Sequence, residues 1–292
     1  MFRRVYTALV TPFRNRKVDF EVLQDQIKRQ IKAGVAGIVP VGTTGESPTL
    51  SVSEHKEVVQ CAVETARGRV KVLAGTGGNS TREAIELTQA AQDVGVDGSL
   101  QVAPYYNRPS PTGIYQHFKS IADSTDLPIV LYSIPGRCGV EIGIPEMVRL
   151  REKCSNIVGI KEAGGTPDRV SQIRQELDSK FLIFSGDDSL TLPFISVGAV
   201  GVISVASNII PNEMVKMVDA ALKGDFKKAL KKHEHWYGLF KDLFIDTNPV
   251  PIKSALAMVG LGKEECRLPL VRMNNRDRTQ LKRTLSRYGL IS

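Results

Sequence analysis

The chain has 292 residues, of which 42% are apolar and 24% charged, with a net charge of +8. That composition is globular and argues against disorder, and no run reaches the roughly 18 apolar residues that a membrane span needs. The charge excess lies wholly at one end, since residues 1–222 hold 24 basic and 24 acidic side chains while residues 223–292 hold 15 and 7.

The opening MFRRVYTALVTPF has a basic start and an apolar patch that Pro12 cuts short, so it reads as a first strand rather than a signal segment. Further strand-like runs follow at residues 37–41, 70–75, 98–103, 128–132, 156–161, 181–186 and 200–205, giving eight with the first at 4–10. Helical patterns separate them. Asp19 reads as the N-cap of a helix carrying Phe20, Leu23, Ile27 and Ile31, which Gly34 ends. Capping boxes at Ser51–Glu54 and Ser80–Glu83 open the next two helices, and Gly95 closes the second of these. Eight strands alternating with eight helices predict an α/β protein of the (β/α)8 TIM barrel type over residues 1–223. An open doubly wound sheet usually has fewer strands.

Residues 224–292 read as a small C-terminal helical domain. Phe226, Ala229, Leu230, His233, Trp236, Tyr237, Phe240 and Phe244 form one expected apolar stripe. Pro249 and Pro251 are expected to break the chain before a helix over 255–261, and a last helix runs from about 275 to 288. Lys227, Lys228, Lys231 and Lys232 alternate with apolar residues as on a solvated helix face, which speaks against nucleic-acid binding. His233 and His235 point to different faces, so a metal site is not expected there. Cys61, Cys138, Cys154 and Cys266 lie too far apart for metal or redox spacing, and as free thiols they suit the cytoplasm.

In such a barrel, function gathers at the C-terminal ends of the strands. Lys161 directly follows the apolar Ile157, Val158 and Ile160 in NIVGIKEA. Lysine is seldom buried without a partner, so two readings are open: an ion pair with Glu162 or another carboxylate, or a desolvated amine able to form a Schiff base with a ketone. Thr43 and Thr44 in GTTGE offer hydroxyls and N–H groups suited to a carboxylate. Tyr105 and Tyr106 follow the fourth run, and Tyr132, Pro135 and Arg137 follow the fifth. A phenol can relay protons, and a guanidinium grips carboxylates bidentately. SGDD at 185–188 places Gly186 where a ligand can approach the backbone.

Together GTTGES, PYYNRP, YSIPGRCG, GIKEA, SGDD, GVISV and NPVPIK span essentially the whole chain, and in them it resembles the dihydrodipicolinate synthase family. That family sits among the pyruvate-dependent class I aldolases with N-acetylneuraminate lyase. The resemblance implies a lyase that condenses pyruvate with L-aspartate 4-semialdehyde on the diaminopimelate route to L-lysine, without metal or organic cofactor. It assigns the Schiff base to Lys161, proton transfer to Tyr132, and a relay to Thr43 and Tyr106, the tyrosine coming from a neighbouring subunit. Thr44, the Ile203 backbone and Gly186 would hold pyruvate, and Arg137 the carboxylate of the aldehyde. Arg137 separates this reading from a sister aldolase acting on a sugar acid or neuraminate; a barrel turned binding protein through its basic tail is the non-enzymatic alternative.

The resemblance further implies a homotetramer built as a dimer of dimers, with L-lysine feedback at Ser47, Pro48, Val52, His55, Asn79, Glu83 and Tyr105. Pro48 and Val52 depart from the pattern and predict weak, partial inhibition. Ser133, Gly136 and Cys138 are departures too, in a loop that keeps Tyr132, Pro135 and Arg137. Glu83 has a competing explanation as the partner of Ser80 in the capping box.

Overall fold

Each apolar run gives rise to one strand of a closed, all-parallel barrel, as a computed structural model describes it for residues 2–292. The strands are β1 (Arg4–Ala8), β4 (Gly37–Val39), β5 (Lys71–Gly75), β6 (Gly98–Val102), β7 (Ile129–Ser133), β8 (Ile157–Glu162), β9 (Leu182–Ser185) and β10 (Gly201–Ser204). Each pairs with the next, and β10 closes on β1. Absent from the sequence reading is a two-stranded hairpin, β2 (Phe13–Arg14) and β3 (Lys17–Val18), whose turn residues Asn15 and Arg16 both have positive φ.

Alternation along the strands sorts their side chains into two layers. In β7, Ile129 and Leu131 join the outer apolar layer beneath the helices, while Val130 and Tyr132 point into the barrel with Tyr6, Leu73, Leu100 and Phe184. β8 would break this pattern were it regular. Ile129 pairs with Ile157 but Val130 pairs with Gly159, so the strand carries an extra residue at Val158–Gly159. A slip of one residue exchanges the two faces, so beyond the bulge Ile160 belongs to the outer layer and Lys161 pairs with inward Tyr132. Only glycine suits position 159, because a Cβ there would stand 2.3 Å from the Leu182 carbonyl oxygen.

The helices that follow the barrel strands are α1 (Phe20–Ala33), α2 (Val52–Ala66), α3 (Thr81–Asp93), α4 (Pro111–Asp123), a single turn α5 (Pro135–Cys138), α6 (Ile144–Lys153), α7 (Pro167–Glu176), α8 (Thr191–Ser196) and, after the last strand, α9 (Pro211–Leu222). Local signals fix their ends. Asp19 accepts from the Val22 N–H at 3.2 Å, and Gly34 ends α1 at φ 78°. Ser51 and Glu54 form both bonds of a capping box. At Ser80 only one forms, the Glu83 N–H donating to Ser80 Oγ at 3.5 Å, so the Glu83 carboxylate has no capping role. Gly95, at φ 84°, lies just beyond α3.

After the barrel come α10 (Phe226–Asp242), α11 (Val250–Met258) and α12 (Asn275–Arg287). The apolar stripe expected on α10 is displaced: Ala229, Trp236, Leu239, Phe240 and Leu243 are buried, while Phe226, Leu230, Tyr237 and Phe244 face outward. Two apolar rows run along this helix, and α9 and α12 pack on only one of them. The second correction concerns α11, which begins five residues earlier than expected. Pro251 stands in its first turn, where the missing N–H has no helical partner to lose. The buried side chains of α10–α12 belong to the same apolar cluster as the outer barrel layer. Lys227, Lys228 and Lys231 are exposed and Lys232 pairs with Glu213 at 2.7 Å, as on a solvated face. No helix among the described residues is long and apolar enough to cross a membrane.

Candidate active site

Lys161 is only 6% exposed, and among the described residues no carboxylate lies within ion-pairing distance of its Nζ. Glu162 cannot serve. It follows Lys161 on the strand and therefore points to the opposite face, where its carboxylate lies 3.6 Å from Arg169 and accepts from the Gly164 N–H at 2.6 Å. Burial pushes the Glu162 carboxyl up, with Arg169 and Gly164 opposing. Of the two readings of Lys161, the ion pair is therefore absent. Its Nζ instead stands 4.0 Å from the ring centroid of Tyr132, the neighbouring inward residue on β7.

A cavity of about 220 Å³ opens at this end of the barrel, lined among others by Thr43, Ser47, Tyr105, Tyr132, Ile134 and Arg137. Gly186 borders the lysine from β9: a Cβ there would meet Ala163 Cβ at 2.6 Å and Lys161 Cε at 3.2 Å. Ile203 is buried inside the barrel beside Tyr6, its partner on β1. Behind it, Asp188 accepts from Ser204 Oγ at 2.5 Å and from the Val205 and Ala206 N–H groups at 3.0 and 2.8 Å, tying the ends of β9 and β10 together. Burial raises the Asp188 carboxyl to about 6.

The GTTGE turn is clamped from the helical extension, which the sequence reading did not foresee. Thr44 Oγ1 accepts from Asn248 Nδ2 at 3.0 Å, and the Asn248 carbonyl accepts from Arg137 Nη2 at 3.2 Å. Glu46, fully buried at φ 54°, pairs with Lys253 and accepts from the Arg267 N–H at 3.0 Å. Arg267 in turn bonds Glu54 at 2.5 Å and the Thr49 carbonyl at 2.9 Å. Asn248 and Lys253 both lie in NPVPIK, so the motif was visible while its contacts, far away in the chain, were not.

Other expected residues are placed as follows. Tyr106 is 90% exposed, with φ 72°, and is not brought to Lys161 within its own chain. Tyr105 lines the cavity, and its phenol is pushed up by burial and by the Glu83 charge. Asn79 Nδ2 donates to the Tyr105 carbonyl at 3.2 Å. Ser47 and Pro48 line the same cavity and Val52 is exposed, whereas His55 is buried with Nε2 3.0 Å from the Gly75 carbonyl oxygen. Burial pushes the Cys138 thiol up to about 11 against the pull of Arg137, which leaves it a poor nucleophile.

A closed parallel barrel with a buried, unpaired amine against a phenol, which lines a cavity together with a guanidinium, defines an enzyme of the (β/α)8 class. The model of the dihydrodipicolinate synthetase family matches residues 1–288, and the chain belongs to that family, whose members are lyases. A 4-hydroxy-tetrahydrodipicolinate synthase of Endomicrobium trichonymphae is 51% identical over 291 residues, covering 100% of both chains. The solved structure of that synthase from Methylacidiphilum fumariolicum SolV is 52% identical with a TM-score of 0.98 over 100% of both chains. The Cyanidioschyzon merolae enzyme, solved with lysine bound, is 41% identical at a TM-score of 0.96, with 99% of each chain covered.

Proposed function

We propose that the chain acts as a 4-hydroxy-tetrahydrodipicolinate synthase in lysine biosynthesis, joining pyruvate to L-aspartate 4-semialdehyde through an imine on Lys161. The observation that carries this reading is a buried lysine without a carboxylate, set against Tyr132, whose ring lines a cavity together with Arg137. Lys161 Nζ attacks the ketone carbon of pyruvate and water leaves. Loss of a proton from the methyl carbon gives an enamine. That carbon bonds to the aldehyde carbon, whose oxygen takes up a proton. The substrate amine then adds to the imine carbon, closes the ring and expels the Lys161 amine. Tyr132 moves the protons, with Thr43 linking it to Tyr106 of a neighbouring copy. Thr44, Gly186 and the Ile203 backbone seat pyruvate, and Arg137 receives the aldehyde's carboxylate.

Borohydride reduction in the presence of pyruvate tests this. A pyruvate-derived mass should appear on the peptide containing Lys161, and a label on any other lysine would sink the assignment. An exposed tyrosine in left-handed backbone supports donation of Tyr106 across a dimer, within a tetramer. Mixing Tyr106→Phe with Lys161→Ala subunits should therefore restore some activity. The free Glu83 carboxylate, with Ser47, His55, Asn79 and Tyr105, is the proposed site of weak feedback by L-lysine, read by titrating lysine at saturating pyruvate.

A further inference from the structure

Asn248 lies between α10 and α11, only 6% exposed. Among the described residues it is the one that bonds to both Thr44 and Arg137, which stand 204 and 111 positions away in the chain. We propose that Asn248 is a positioning residue for the reaction, its side chain setting the Thr44 hydroxyl and its carbonyl holding the Arg137 guanidinium. The proposal rests on the functional reading above, in which those two groups receive the carboxylates of the two substrates.

The chemistry of a hydroxyl supports it. A threonine oxygen has one proton to give and two lone pairs to receive with. Because Asn248 Nδ2 donates into Thr44 Oγ1, the hydroxyl proton is turned away from the amide and left free to donate to an anion. Thr44 Oγ1 has no other hydrogen-bond partner among the described residues. Asn248 also bears a cost that a smaller apolar residue would avoid, since its Oδ1 is buried without a partner. On the other side, Arg137 rides an exposed turn, and the Asn248 carbonyl is the hydrogen-bond acceptor that steadies its guanidinium before substrate arrives. Ordering a long side chain in advance lowers the entropy lost on binding. The helical extension thereby ties two subsites of the mouth to one another.

Steady-state kinetics of Asn248→Ala test the idea, because the substitution removes the amide but keeps the main-chain carbonyl. We expect the pyruvate KM to rise about tenfold, with kcat within about threefold and the aldehyde KM within about twofold. In the double variant with Thr44→Val, the effects on pyruvate KM should not add, since both remove the same contact. A purely structural role would lower Tm and leave pyruvate KM in place. An unchanged pyruvate KM in folded Asn248→Ala, or full additivity with Thr44→Val, overturns the proposal. Should Asn248→Ala not fold, Asn248→Asp serves: an acceptor there draws the Thr44 proton back and pyruvate KM must rise. Borohydride trapping on the unaltered enzyme separates the two readings. Failure to label Lys161 strikes the function itself, whereas labelling with an unchanged KM in the variant strikes Asn248 alone.

Discussion

Two lysines of this chain are buried to a similar degree and stand equally close to an aromatic ring, yet they are different chemical objects. Lys161 and Lys253 are 6% and 2% exposed, with Nζ 4.0 Å from the centroids of Tyr132 and Phe13 respectively. Lys253 has the carboxylate of Glu46 and the Glu265 carbonyl, the latter at 2.8 Å, so its charge is answered on two sides. Burial pulls its ammonium below the ordinary value and Glu46 opposes that pull. Lys161 has no such partner, and the Tyr132 ring it stands against lines a cavity. Burial alone therefore does not mark a reactive lysine. What separates the two is the missing counter-charge, because a carboxylate in bonding reach occupies the amine that a carbonyl carbon would need.

Exchanging what the two sites lose is the sharpest way to break the comparison. Lys161→Ala should cut activity by at least about a thousandfold while leaving Tm nearly unchanged, since no buried charge is orphaned. Turnover that survives, or a large fall in Tm, would contradict its assignment. Lys253→Ala should do the reverse, costing about 3–5 kcal/mol in denaturant unfolding because Glu46 is left buried without a counter-charge, holding only the Arg267 N–H. Glu46→Leu with Lys253→Met should recover most of that, and a Lys253→Ala protein as stable as its parent would mean that the clamp is idle. The smallest effect concerns pH. The Arg267 hydrogen bonds hold the Glu54 carboxyl down at about 2, against an ordinary value of 4.5. A depressed value in the fold means stability that is full above pH 4.5 and lost as pH falls toward 2. Glu54→Gln should flatten the acid limb of a Tm profile over that window, and an unaltered limb would place the acid sensitivity elsewhere.

The barrel was legible because its signals are local. Eight short apolar runs and the caps at Asp19, Ser51 and Gly34 each act within a few residues, and six strands fall inside their expected runs while β7 and β8 each reach one residue further, to Ser133 and Glu162. Lys161 stood out because a charge ended such a run. What stayed hidden depends on distant partners. Glu46 and Lys253 are 207 positions apart, and neither pattern nor propensity brings them together. On α10 two rows had the right period, and only the packing of α9 and α12 decides that Leu239 and Leu243 go inward and Tyr237 outward. The bulge at Val158–Gly159 was equally invisible, although it turns Lys161 toward the interior, because it appears only when β8 is laid against β7.

The floor of the barrel also bears on traffic. Phe2, Tyr6 and Phe184 stack edge to face with centroids 5.9 and 5.6 Å apart, and Leu73, Leu100 and Leu182 fill the space around them. Side chains therefore fill the barrel on that side, and the cavity that Tyr132 lines opens at its C-terminal mouth. In the proposed reaction pyruvate, the expelled water, the aldehyde and the cyclic product all use that mouth, and so they take turns. An aldehyde lodged there before the imine has formed becomes a cork, and the enzyme should slow when that substrate is in excess.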